Sequence, residues 1–366
     1  MRIFVAWGYF PRYLEQFYRK RPGLERCNSS AQLGALLADY FSWPVYVPLR
    51  LRERGHDVEL AIVNARNISE RWAEENGVAF GGPDAEFELL LERVKRWQPD
   101  VLYLGPIFSY YGPRLLQLRR HCRKVLTWIA APLRPFLNFG GLDCIITSHA
   151  NLAMRFRNAG CRSVTMLPAF EAELINNLNQ PDAARDIEVS FIGSLSWAHG
   201  ERMAALSHLV RDTPIRLWIL DQPVFSRSML RPAYYTTIWR YLWLRRRSEG
   251  EVFGMDMFRL LARSRMTINA HTSVAGGLAG NQRMFEATGA GALLLTESAS
   301  NLRDMFEPDT EVIGYRNVPD LVARVDELLN DPERTAQIAR RGQARTLRTH
   351  SAVARSLELE HIFETA

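Results

Sequence analysis

The stretch NQRMFEATGAGALLLTE, residues 281–297, passes from a polar start through a helical pattern and a glycine turn at Gly289–Gly291 into an apolar run. The run ALLLTE is short and bounded by glycine, so it reads as a buried strand, and the segment before it reads as a helix. A further helix is expected to start around Ser298–Asn301. Helix, tight turn and strand in that order form the repeating step of a doubly wound α/β sheet. Glu286 is the acidic residue of the helical part. A helix glutamate is ordinarily solvated. Near the carboxyl end of such a sheet, however, a carboxylate can accept two hydroxyl protons at once, which is how α/β folds hold a ribose.

Outward from this stretch the same alternation fills the chain. MRIFVAW, DVELAIV, DVLYLGP, KVLTWIA, DCIITS and RSVTMLP read as strands of a first half, with helical spacing between them in AQLGALLADYF and AEFELLLERVKRW. After the polar, proline-containing EAELINNLNQPDAAR the alternation restarts with DIEVSFIG, IRLWIL, MTINA, GALLLTE and EVIGY. The sequence thus predicts an N-terminal Rossmann-like domain over 1–170, a linker at 171–186, and a second Rossmann-like domain over 187–348. A final helix over 349–366 is expected to cross back onto the first domain.

The chain has 366 residues, more than one compact core usually serves, so two α/β domains are the natural division. No run of about 18 apolar residues occurs, and the start has no basic flank followed by an apolar block. A cytoplasmic, unexported chain is expected. Cys27, Cys122, Cys144 and Cys161 are scattered without a CxxC pair, which excludes a readable zinc or redox motif. The net charge of +6 comes from dispersed arginines and favours anionic partners. No RNP, helix-turn-helix or zinc pattern supports nucleic acid as a partner.

Ligands of doubly wound sheets bind outside the carboxyl ends of the strands. In SFIGSLSWAHGER, Gly193 and Ser194 close the first strand of the second domain and a helix is expected from about Gly200, where backbone N–H groups meet an anion. The absence of GxGxxG argues against a dinucleotide site.

Several segments together carry a resemblance: GMDMFRLLARSRMTINAH, NQRMFEATGAGALLLTE, NLRDMFEPDTEVIGYRNVPDLVARVDELL and ERTAQIARRGQARTLRTHS, with RERGHDVELAIVNARNISERWAEENG and KRWQPDVLYL in the first half. In these the chain resembles the GT-B glycosyltransferases, more narrowly the CgeB-like group-1 enzymes. The resemblance implies two Rossmann-like domains facing a central cleft and transfer of a sugar from a nucleoside-diphosphate sugar to an acceptor hydroxyl on a glycan, a lipid-linked carrier or a protein. That donor is a co-substrate, and no cofactor is implied.

By the same resemblance Glu286 holds the ribose, Asn281 and Arg283 line the diphosphate side, and His271 with the loop SVAGGLAG borders the donor sugar. Gly276, Gly277 and Gly280 in that loop permit close backbone approach. Asn301, where the next helix was expected to begin, joins the donor-side set. Leu278 stands where retaining enzymes of the fold carry a further glutamate, which leaves retention or inversion open. Ser194 replaces an arginine common there, so His199 and Arg202 are candidates to face the diphosphate.

No Asp-x-Asp occurs, so no metal is expected. On the acceptor side the candidates are Tyr9, Phe10, Ser29 and Ser30, beyond which Asn28 belongs to the same segment. For a general base the sequence offers His149, where a cap or packed ring is the commoner role. The aromatic and basic segment RPAYYTTIWRYLWLRRRSEGE, 231–251, reads either as a hairpin-like insertion packed on the domain or on a second subunit, or as an interfacial element at the inner membrane face. A sugar-nucleotide epimerase of the same fold and a non-catalytic nucleotide-sugar-binding protein are the alternative functions.

Overall fold

The computed structural model describes residues 1–130, 139–178, 185–195, 200–221, 232–271 and 276–366. The chain divides into two units, Met1–Glu171 with Ala352–Ala366, and Ala172–Ser351.

In the first unit six strands form one parallel sheet: β1 (Arg2–Trp7), β2 (Asp57–Ile62), β3 (Val101–Leu104), β4 (Lys124–Trp128), β5 (Cys144–Thr147) and β6 (Ser163–Thr165). Their order is β2-β1-β3-β4-β5-β6, with Ile3 opposite both Val58 and Val101. The inner strands β1, β3 and β5 are near-continuous apolar runs because helices cover both faces of a parallel sheet, whereas the edge strands β2 and β6 carry polar residues. Phe4, Leu102, Tyr103 and Ile145 are accordingly buried. The strand order reverses between β1 and β3. At the end of β3 a β-carbon on Gly105 would lie 2.4 Å from the Trp7 ring, so glycine lets the indole close over the strand end.

AEFELLLERVKRW forms the expected helix, Ala85–Trp97. The helix expected over AQLGALLADYF is shorter, Ser29–Leu37, and the chain turns at Tyr40 with a left-handed φ of 51°. Helix Ala352–Thr365 belongs to the first unit. Its Phe363 packs edge-on against Tyr103 at 5.6 Å, and its Glu360 bonds Arg54 at 2.6 Å and His56 at 2.7 Å.

The second unit holds a five-stranded parallel sheet of β7 (Ile187–Leu195), β8 (Ile215–Asp221), β9 (Ser264–Asn269), β10 (Leu293–Glu297) and β11 (Ile313–Tyr315), in the order β11-β10-β9-β7-β8. Its switch point lies between β7 and β9. Val189, Phe191, Met266, Ile268, Leu293 and Leu295 form the sheet side of its core. Helix Pro332–Thr349 crosses so closely that a β-carbon on Gly342 would lie 2.3 Å from the Glu311 carbonyl oxygen.

Three local expectations change. The linker expected at 171–186 contains helix Leu174–Leu178, which belongs to the second unit and is anchored by the fully buried Leu174; residues 179–184 lie outside the described residues. The segment 231–251 contains a helix, Pro232–Arg245, rather than a hairpin. Ile238, Tyr241 and Leu244 recur at helical spacing and pack into the second core. The helix expected from Ser298–Asn301 is a single 3-10 turn, Leu302–Asp304.

Candidate functional site

In the second unit the carboxyl ends of β7, β9 and β10 carry a connected set of polar side chains. Asn269 ends β9 and is 3% exposed. Its Nδ2 donates to Asn281 Oδ1 at 3.1 Å and to Thr296 Oγ1 at 3.0 Å, while Asn281 Nδ2 returns a bond to Asn269 Oδ1 at 2.6 Å. This amide pair ties the start of helix Gln282–Gly289 to the sheet edge. The His271 N–H donates to Glu297 Oε2 at 2.7 Å, and the His271 ring meets Thr296 Oγ1 at 3.3 Å. Tyr315 donates its hydroxyl to the Asn269 carbonyl at 2.8 Å. Burial pushes the Glu297 carboxyl above the usual carboxylate range, against the lowering effect of the His271 N–H and of Arg202.

Arg202 lies on helix Gly200–Asp212, whose N-terminus follows β7. Its Nη1 donates to the Ser194 carbonyl at 3.1 Å and its Nη2 to the Ala270 carbonyl at 2.7 Å. The guanidinium therefore cross-links the two strand ends that flank the switch point, and it brings positive charge there. Burial lowers its pKa, which the nearby Glu297 opposes. Gly193 and Ser194 stand half-buried at the end of β7. His199 lies outside the described residues.

Glu286 is buried at 5% exposure, so it is not a solvated helix glutamate. Its carboxylate pairs with Arg283 Nη1 at 2.8 Å and accepts a bond from Gln282 Nε2. A buried carboxylate costs free energy unless it is paired and hydrogen-bonded, and two partners from its own helix meet that requirement. Arg283, expected toward the diphosphate, is turned to Glu286 and to the Met257 sulfur. Each carboxylate oxygen still has acceptor capacity beyond its one partner here.

Within the glycine-rich loop, residues 272–275 lie outside the described residues. Gly276, Gly277 and Gly280 have φ of 59°, 81° and 136°, the left-handed side that favours glycine. Asn301 fixes this loop. Its Oδ1 accepts from the Ala279 N–H at 2.8 Å and its Nδ2 donates to the Ala279 carbonyl at 2.9 Å, so one side-chain amide satisfies both backbone groups of a buried residue. Asn301 is thus committed to positioning the loop.

The first unit repeats the device. Asn64 Oδ1 accepts from the Tyr9 N–H at 2.9 Å and Asn64 Nδ2 donates to the Tyr9 carbonyl at 2.7 Å, holding the chain just beyond β1. Tyr9 is buried against Tyr13 and Phe41, whereas Phe10 is 54% exposed. Tyr13 donates to the buried Asp39 at 3.0 Å, and Arg21 bonds the same carboxylate at 3.1 Å. Ser29 is held through N–H and hydroxyl by Glu75, and Ser30 is exposed. Of the acceptor-side candidates, Phe10 and Ser30 are therefore the ones presented to solvent.

His149 caps helix Ala150–Asn158 at 5% exposure without a side-chain capping bond. Among the described residues its Nδ1 is buried with no hydrogen-bond partner, and burial lowers its pKa, so the ring is neutral at neutral pH. That protonation state suits a base, and the burial limits its reach.

Sequence reading missed Asn269, Glu297, Asn64 and Asp39. Asn269 and Asn64 each follow an apolar run at a strand end, where a lone amide was the available signal. Nothing in the local pattern marked Glu297 or Asp39.

Residues 205–361 match the family model described as glycosyl transferase-like. No curated protein matches the chain. Among solved structures, HepE of Anabaena in complex with UDP-glucose is similar over 100% of both chains at 16% identity, with a TM-score of 0.59. A glycosyltransferase of Rickettsia africae covers 99% of this chain and 97% of its own at 12% identity and TM-score 0.58. Sucrose-phosphate synthase of Thermosynechococcus elongatus covers 99% and 98% at 11% identity and TM-score 0.55. With both sheets parallel, helix-covered and matched in fold along the whole chain, the chain has the two-domain GT-B fold of these structures, and its residues 205–361 are similar to the glycosyl transferase-like family.

Proposed function

We propose that this chain moves a sugar from a nucleoside-diphosphate sugar to an acceptor hydroxyl, with the second unit holding the donor. The observation that carries the reading is Glu286, a buried and ion-paired carboxylate one turn inside the helix that starts at the carboxyl edge of the second sheet. A ribose offers two adjacent hydroxyls to such a carboxylate. The glycine loop latched by Asn301 supplies backbone close to the diphosphate, and the N-terminus of helix Gly200–Asp212 with Arg202 beneath it supplies positive potential. The UDP and UDP-glucose complexes of the similar HepE protein support a nucleotide-sugar donor.

Leaving-group charge is met in this reading by helix ends and arginines, so transfer is metal-independent. Incubation with a panel of nucleoside-diphosphate sugars, followed by NMR, tests the proposal. Transfer to an acceptor or slow donor hydrolysis, undiminished by EDTA, is the expected outcome. An isomerised sugar or the absence of any turnover rejects transferase activity, and loss of turnover in EDTA with recovery on manganese rejects metal independence.

One surface favours an acceptor held at a membrane. Helix Pro232–Arg245 leaves Trp239 70% and Leu242 38% exposed, beside exposed Arg240, Arg245, Arg246 and Arg247. Exposed aromatic, aliphatic and basic side chains on one segment suit a headgroup layer. Flotation on anionic vesicles should fall when Trp239 and Leu242 are replaced by serine, and equal flotation of both forms removes this reading.

A further inference from the structure

The helix-covered face of the first sheet carries a groove of about 400 Å³ between helix Ala85–Trp97 and helix Pro113–Arg119, lined by Leu91, Lys95, Pro113, Leu116, Gln117, Arg120 and His121. That volume lies within the range of small-molecule sites, roughly 300–1,000 Å³. Among the described residues no carboxylate lines it. The neighbouring arginines are ion-paired: Arg96 with Glu92 at 2.8 Å, Arg114 with Asp84, Arg119 with Asp143 at 2.9 Å and Arg123 with Asp100 at 3.4 Å. Among the described residues Lys95, Arg120 and His121 have no such partner, and all three line the groove. The dipoles of two helix C-termini account for cations at these positions. They do not account for the apolar surface between them, where Leu116 is 51% exposed beside Leu91 and Pro113.

Unpaired cations at one end of an apolar trough are complementary to a molecule with an anionic head and a hydrocarbon tail. We propose that this groove binds a single anionic lipid, its phosphate among Lys95, Arg120 and His121 and its chain along Leu91, Pro113 and Leu116. The phosphate is held by charge-assisted bonds, and the chain covers leucine surface now open to water. The groove belongs to the first unit, the proposed donor residues belong to the second, and the proposal does not depend on the donor reading.

The test is calorimetric titration of the full chain with dihexanoylphosphatidylglycerol below its micelle concentration, which removes any vesicle surface from the measurement. The wild type should bind, Lys95→Gln/Arg120→Gln should weaken binding about tenfold or more through loss of two charged contacts, and Leu116→Ser should weaken it less. An Arg240→Gln/Arg246→Gln protein should bind as the wild type does. Both substituted lining cations are exposed, so the variants should melt with the wild type. Equal affinity of wild type and the Lys95/Arg120 variant, or no binding at all, overturns the proposal. Inorganic phosphate binding as tightly as the lipid overturns it as well, because the groove would then read a free anion alone.

Discussion

Replacing Asn301 by alanine tests the latch on the glycine loop. The substitution removes two hydrogen bonds, of 2.8 and 2.9 Å, and leaves the N–H and carbonyl of Ala279, a residue only 1% exposed, without their partners. Each unsatisfied buried group costs about 1–3 kcal/mol, so the upper bound is about 2–6 kcal/mol. Water entering the space left by the side chain recovers part of this, and a net loss of about 2–3 kcal/mol is expected. The loop can relieve it by opening locally, so the loss divides between global stability and loop order. If about 1–2 kcal/mol of loop order must be restored on binding, nucleotide affinity falls about five- to thirtyfold.

Urea unfolding reads the first part, hydrogen exchange at the Ala279 amide the second, and nucleotide titration the third. Asn301→Asp should fail nearly as badly, since its carboxylate accepts from the Ala279 N–H but faces the Ala279 carbonyl with a second acceptor. An Asn301→Ala protein with the wild-type unfolding midpoint, unchanged Ala279 exchange and unchanged affinity would refute the reasoning.

Gly342→Ala sets a helix-propensity gain of about 1 kcal/mol against a β-carbon 2.3 Å from the Glu311 carbonyl. The clash is with backbone and should win, lowering stability by about 1–3 kcal/mol in chemical denaturation; a stabilised variant contradicts the packing. Arg202→Lys keeps the charge but cannot span the Ser194 and Ala270 carbonyls, so unfolding should show a loss of about 1–3 kcal/mol even without ligand. Unchanged apo stability would mean that the guanidinium serves the ligand alone. For Glu297 burial raises the carboxyl pKa in the folded state, so its contribution to stability is full below the unfolded value of about 4.3 and is lost as pH rises through the higher folded value. The stability of wild type relative to Glu297→Gln, which can still accept from the His271 N–H, should therefore fall across that rise; a difference constant with pH contradicts the shift.

The strands were legible because a parallel sheet covered on both faces favours short, apolar-rich runs, and each of the eleven described strands overlaps such a run in the sequence, although β6, SVT, is itself mostly polar. Strand order was not legible, since nothing in the pattern of β1 says that β2 and β3 flank it on opposite sides; packing decides that. Helix Pro232–Arg245 was obscured by its own composition: the aromatics that look interfacial include Tyr241, which is core. Glu286 could be named as a candidate, but its burial is a tertiary fact that a helical glutamate does not announce. Asn64 escaped for the opposite reason, and Asn301, although named as a donor-side candidate, gave no sign of its latching role. A single amide that satisfies one backbone residue leaves no periodic trace, although it fixes the chain beside each candidate site.

The most direct test of the donor site is calorimetric titration of UDP, GDP, CDP, ADP and TDP into the wild type and into a folded Glu286→Gln protein. The carboxamide preserves the shape of Glu286 but withdraws one acceptor and the charge. One diphosphate should bind best, and the substitution should weaken it by about 1–3 kcal/mol, the loss of a charged acceptor. If no nucleotide binds, or if Glu286→Gln binds the preferred one as tightly as the wild type, Glu286 does not hold a ribose.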